Sequence, residues 1–260
     1  MANAVAQLQD FTHDKSVKDA ACAFGNLGAD AGLGDPKPAL EAYERAVKLD
    51  TNDLSLFWAG WMDLGDIRED HGHFSAALSN YREAEAIADQ LVKSDPGNTC
   101  WQFALSASHD KIGDVLEDQG HIADALKSYQ ASLDIRDVLA KSDPRNDLWQ
   151  RDLSLSYDKV GDVLVAQEQL SAAMKSYQAA FSIRDRLAKA TPSNANGQHE
   201  LAVSYSKLAL VYLKGNQLPE ARQNFDVARA IAVRLAKAYP EVVQFKNDVD
   251  WFDQQIAALK

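Results

Sequence analysis

The chain has 260 residues, 46% of them hydrophobic, enough for one ordinary core or for a stack of small repeated units. Its 27 Lys and Arg against 38 Asp and Glu leave a net charge of −11, which argues against the clustered basic surface that nucleic acid or an anionic membrane requires. No run of about 18 apolar residues offers a membrane span, and Met1 to Asp10 lacks the charged and apolar regions of a secretory signal. Cys22 and Cys100 form no disulfide or metal pattern, and buried thiols in a reducing cytoplasm are the simplest reading.

In chain order, residues 1–14 read as a lead-in whose Val5, Leu8 and Phe11 are expected to lie on the first repeat. Residues 15–53 read as a short, degenerate repeat with its internal turn at Gly32, Gly34, Pro36 and Pro38. From residue 54 to residue 240 a 48-residue period governs the chain, giving repeats at about 54–96, 97–144, 145–192 and 193–240. Pro96, Pro144, Pro192 and Pro240 keep this step, as do Gly65-Asp66, Gly113-Asp114 and Gly161-Asp162. Tyr81, Tyr129, Tyr177 and Phe225 follow it too. A fixed period of this size means stacked copies of one supersecondary unit, each too small to bury its own apolar face.

Within the unit from Pro96 to Asp143, Asp95-Pro96-Gly97-Asn98 is turn chemistry with Asn98 as an N-cap. Trp101, Leu105, Ile112, Val115 and Leu116 then recur at helical spacing, and Gly120 ends that helix. A second helix is predicted from about Ile122 to Lys141, with Ala125, Tyr129, Leu133 and Leu139 turned inward. The short connections make the two antiparallel. Gly113 and Gly161 are expected where two helices approach too closely for a larger side chain. Residues 241–260 continue the register without a second helix and read as a capping helix, with Val249, Phe252 and Ile256 turned to the array.

These residues resemble the tetratricopeptide repeat (TPR) family. Trp61, Leu64-Gly65, Gly72, Ala77, Tyr81 and Ala84 stand at the family's offsets in the first long repeat, and the later repeats follow with Ile112-Gly113, Val160-Gly161 and Leu208-Ala209. Ala39 to Ala46 looks like the second helix of an ordinary, shorter repeat. The extra length per repeat is similar to that of kinesin light chains and of long bacterial signalling arrays. The resemblance implies an all-α, right-handed superhelical solenoid of antiparallel helix pairs. It also implies a scaffold or sensing module that binds a protein or peptide, rather than an enzyme. A structural array that self-associates, or the regulatory region of a larger signalling protein, remains the alternative.

Catalytic and cofactor chemistry find little support. His71-Gly72-His73 lies in an inter-helix turn and lacks a third ligand. His109 and Asp110 are adjacent and point about 100° apart on a helix. Gly32-Leu33-Gly34 follows no strand, so no nucleotide fingerprint is present. No cofactor and no metal are expected.

The family's groove positions fall on the inner face of the first helices. Carried over, they give Met62 and Asp66, then Phe103, Asp110 and Asp114, then Arg151, Leu155, Asp158 and Asp162, then Val203, Leu210 and Leu213. Asp66, Asp114 and Asp162 form a carboxylate series expected to face solvent, giving way to apolar side chains in the last repeat. A groove of this kind suits a basic segment with an apolar anchor. Lys111, Lys159 and Lys207 border the series, so a self-neutralised solvated face is the competing account.

Overall fold

In the computed structural model, residues 54–259 are described; the lead-in, the degenerate repeat with Gly28, Gly32 and Gly34, and the Ala39–Ala46 segment lie outside them. The described residues form nine helices in chain order: α1 (Leu54–Asp70), α2 (Phe74–Ser94), α3 (Thr99–Asp118), α4 (Ile122–Ser142), α5 (Asp147–Ala166), α6 (Leu170–Ala190), α7 (Ala195–Lys214), α8 (Leu218–Ala238) and α9 (Val243–Ala258). The fold is a TPR-type array of antiparallel helix pairs. Two compact units divide the described residues, with the break between Ile135 and Arg136.

Short polar signals set the helix boundaries. Asn98 accepts hydrogen bonds from the Cys100 and Trp101 amides, Asn146 from Trp149, and Asn194 from Gly197, each filling an orphan donor at a helix start. At α9 the matching residue is Val242, which makes no side-chain cap. The first helices end in a left-handed residue. Gly120 has φ +77°, its amide bonds the Glu117 carbonyl at 2.8 Å, and the His121 amide bonds the Leu116 carbonyl at 2.7 Å. This pair of bonds is a Schellman closure. Gly72 closes α1 the same way, whereas the equivalent left-handed positions after α5 and α7 hold Glu168 (φ 60°) and Asn216 (φ 57°).

In the first unit α1 packs on α2 and α2 on α3, burying Leu64, Ala77, Tyr81, Ala84 and Val115. In the second unit α5 pairs with α6, α7 with α8, and α9 lies on α8. Its core there runs through Ala202, Ala209, Phe225, Ala228, Phe245 and Phe252. Small side chains on the facing helices let backbones come close, and the aromatic rings fill what remains. Cys100 is exposed on the first turn of α3, which corrects the expectation of a buried thiol. No helix among the described residues is long and apolar enough to cross a membrane.

Candidate functional site

The candidate surface is the exposed face of the first helices, and the repeat seam sets what that face can offer. In the first three long repeats a tyrosine from the second helix lies against a glycine of the first. A Cβ on Gly161 would stand 2.5 Å from Tyr177 Cε1, and one on Gly113 at the same distance from Tyr129. This closeness matches the expectation for both glycines. With the ring fixed there, the hydroxyl reaches the next residue of the first helix. Tyr81 Oη donates to Asp66 at 2.6 Å, Tyr129 Oη to Asp114 at 2.6 Å, and Tyr177 Oη to Asp162 at 2.6 Å.

Lysines from the following repeats reach Asp66 and Asp162. Lys111 Nζ sits 2.7 Å from Asp66 and 3.5 Å from Glu69, and Lys207 Nζ lies 2.6 Å from Asp162. Each lysine also lies over the tyrosine ring, at 5.7 Å above Tyr81 and 5.3 Å above Tyr177. Burial, reinforced by the neighbouring carboxylates, pushes the Tyr81 and Tyr129 hydroxyls far above their ordinary range, so both remain proton donors. Burial alone would lower Lys111, but its Asp66 hydrogen bond and the surrounding carboxylates raise it.

This geometry changes the meaning of the carboxylate series. The side chains of Asp66 and Asp162 are nearly half exposed, 47% and 44%, yet each is engaged: Asp66 through Oδ1 by Tyr81 and Lys111, and Asp162 through both oxygens by Lys207. The sequence carries the same logic: in the last repeat Gly, Asp and Tyr become Ala209, Leu210 and Phe225 together. The lysine position on the following helix becomes Gln255 at the same step. Four positions that change together behave as one unit.

Two proposed groove residues are corrected. Asp110 is 8% exposed and Asp158 is 6% exposed, so neither presents its carboxylate to a partner. Asp158 Oδ2 lies 2.6 Å from an Arg184 that is itself 2% exposed, and that guanidinium also donates to Ser154 and Ser204. Burial holds the Asp158 carboxyl above the usual carboxylate range, although Arg184 and Lys207 pull against it. Sequence reasoning passed over Arg184, but a signal was present. Asp and Arg occur together 26 residues apart in two repeats (Asp110 with Arg136, Asp158 with Arg184), where the others carry Met62 with Ala88 and Ser206 with Ala232.

The remaining candidates separate by unit. In the first, Met62 is half-buried with its sulfur 3.7 Å from the Ser108 hydroxyl, and Phe103 is exposed on α3. In the second, Arg151 is exposed and ion-paired with Glu200, Leu155 and Leu210 are exposed, and Val203 and Leu213 are half-buried. Trp251 was missed. It stands 48 residues after Val203, on the capping helix, and is 38% exposed.

A Tetratricopeptide repeat family model matches residues 28–98. No curated protein sequence matches the chain. Solved structures do. A putative kinesin light chain with nearly identical TPR-like repeats from Podosopora anserina superposes with a TM-score of 0.64 at 14% identity, covering 87% of this chain and 99% of that one. BtubC (BKLC) from P. vanneervenii gives 0.57 at 16% identity, covering 95% and 91%. A signal transduction ATPase with a tetratricopeptide repeat sensor from Pyrococcus horikoshii gives 0.62 at 16% identity, covering 95% of this chain and 33% of that one. The family match over residues 28–98 and the superpositions together give this chain a tetratricopeptide-repeat-type fold.

Proposed function

We propose that the chain binds a protein segment, apolar residues of which meet the exposed face of the first helices of the second unit. The observation that carries this reading is the exposure of Leu155 and Leu210, flanked by half-exposed Val203 and Leu213, on helices that bury Leu153, Val163, Leu201 and Leu208. Apolar side chains left together on one face mark a contact surface more often than chance exposure does. Ordering a flexible segment consumes much of the contact energy, so the affinity is expected in the micromolar range. A sensing role within a larger protein uses the same surface, and the sensor-bearing Pyrococcus horikoshii neighbour supports it.

The test is affinity capture from the native cell with the wild-type chain and with Val203→Asp/Leu210→Asp as bait. Leu210 is exposed and Val203 half-buried on α7, so helicity by circular dichroism should change little. Loss of a retained partner from the variant supports the proposal, while a partner retained equally by both baits places binding elsewhere. Sedimentation of the pure chain bears on the alternative: concentration-dependent assembly without any ligand favours structural self-association.

A further inference from the structure

We infer that the exposed face of α8 is a contact between two copies of this chain, the two α8 helices crossing antiparallel at Ala230. The starting observation is a break in the repeat pattern. The last turns of the other second helices each carry a charge pair: Asp89 with Lys93 in α2, Asp137 with Lys141 at 2.6 Å in α4, and Asp185 with Lys189 at 2.7 Å in α6. At the same step α8 has Val233, 39% exposed, and Lys237 loses the carboxylate that its counterparts hold. Val227 is 37% exposed where α2 carries Glu83 and α4 and α6 carry half-buried Ala131 and Ala179. Neither valine belongs to the core of its own repeat.

The order of side chains along this face names the occupant. Ala230 is exposed, and the face around it is complementary to its own reverse. Val227 and Val233 stand three residues before and after it, Asp226 and Arg234 four, and Gln223 and Lys237 seven. Steps of three, four and seven stay on one side of a helix. An antiparallel second copy therefore sets Val227 against the partner's Val233, Asp226 against the partner's Arg234 and Gln223 against the partner's Lys237. Each contact occurs twice, which is the condition for a closed two-fold interface. The small side chain at the crossing lets the axes approach to the short end of about 8–10 Å. The sibling helices fail the same comparison. Around Ala86, Asp134 and Ser182 the residues three away are Glu83 and Asp89, Ala131 and Asp137, and Ala179 and Asp185.

The groups needed for this contact are within reach. The Asp226 side chain is more than half exposed, and its own-helix partner Arg222 stands 4.0 Å away. Arg234 is exposed and donates to Gln198, a neutral acceptor, so its charge is uncompensated there. An open cleft of about 660 Å³ lies against Asp226, Val227, Ala230 and Arg234. One helix crossing buries less than the roughly 1,200 Å² of a stable interface. The charge of −11 on each copy also opposes approach, although physiological salt screens it beyond about 8 Å. The expected dimer is therefore weak, with a dissociation constant of roughly tens of micromolar. It uses no residue of α5 or α7, so it leaves the first-helix face open and presents it twice. Closure at two copies also separates it from a self-associating array, which keeps growing.

The experiment is sedimentation equilibrium of the full-length chain across a concentration series spanning that range. A monomer–dimer equilibrium without larger species is expected. Val233→Asp restores the charge pair of the sibling helices, so it should fold normally and weaken the dimer about ten-fold or more. Asp226→Arg and Arg234→Asp should each weaken it as well, and the double variant should regain most of the loss, because the exchanged charges meet again across the two-fold axis. Circular dichroism of each variant checks the fold. A chain that stays monomeric at the highest concentration overturns the inference. So does a dimer indifferent to Val233→Asp, a double charge variant no better than the single ones, or assembly that continues past two copies.

Discussion

At the scale of single residues, contact between one ring and one backbone decides the seam. A Cβ on Gly161 would meet Tyr177 at 2.5 Å, and the ring cannot retreat freely because its hydroxyl is tied to Asp162. Gly161→Ala should therefore cost about 1–3 kcal/mol through overpacking. Tyr177→Phe in the same chain should recover part of that, since the last repeat tolerates Ala209 against Phe225. Chemical denaturation of the two single variants and the double variant measures the coupling; strictly additive losses would mean that the hydroxyl does not pin the ring.

The buried Asp158–Arg184 pair yields a second expectation at this scale. Removing Asp158 alone strands a guanidinium that is 2% exposed and should cost about 3–5 kcal/mol. Replacing both by the residues of the sibling repeat, Asp158→Ser with Arg184→Ala, should be near neutral. The direction of the Asp158 shift agrees, because burial outweighs the attraction of Arg184. A carboxyl raised in the fold contributes stability present below its ordinary value, about 3.9, and lost as pH rises through its folded value. Arg184→Ala raises that value further, so its penalty should grow from mildly acidic to neutral pH. A penalty independent of pH in thermal melts would contradict this.

At the scale of elements, helix ends were legible in the sequence wherever chemistry is local. Asn98 and Gly120 act as their types suggest, and α4 begins at Ile122 as the pattern predicts. Glu168 was not legible as a helix stop, because nothing in its side chain signals a left-handed backbone; only its register with Gly72 and Gly120 does. A left-handed conformation costs a side-chain-bearing residue about 1–2 kcal/mol, so Glu168→Gly should raise stability by roughly 1 kcal/mol. An unchanged melting temperature would show that the closure after α5 is unstrained. The Gln150 and Gln198 amides escaped notice for a related reason. Each donates to the carbonyl of Ala140 or Ala188 at 3.0 Å and accepts from Arg186 or Arg234, partners set by helix stacking rather than by neighbours in sequence.

At the scale of the molecule, the 48-residue register revealed the fold because every repeat restates it. The binding face was legible only in part, since periodicity places a residue on a face without saying how deep it lies. Asp110 and Asp158 share a stripe with Asp66 and Asp162 but sit beneath the surface. Asp114 and Asp162, expected to face solvent freely, each accept a tyrosine hydroxyl. Charge reversal at both, Asp114→Lys with Asp162→Lys, should therefore lower stability by about 1–2 kcal/mol per site, a modest figure because Asp162 is nearly half exposed. Unchanged stability with lost binding would return these carboxylates to the contact surface.

The most direct test of the binding face is hydrogen–deuterium exchange of the full chain with and without a captured partner. Protection is expected on the first helices of the second unit, above all around Leu155 in α5 and Val203 to Leu213 in α7. Little change is expected on the exposed faces of α6 and α8. Protection concentrated on α6 and α8, with α5 and α7 unaffected, would contradict the account.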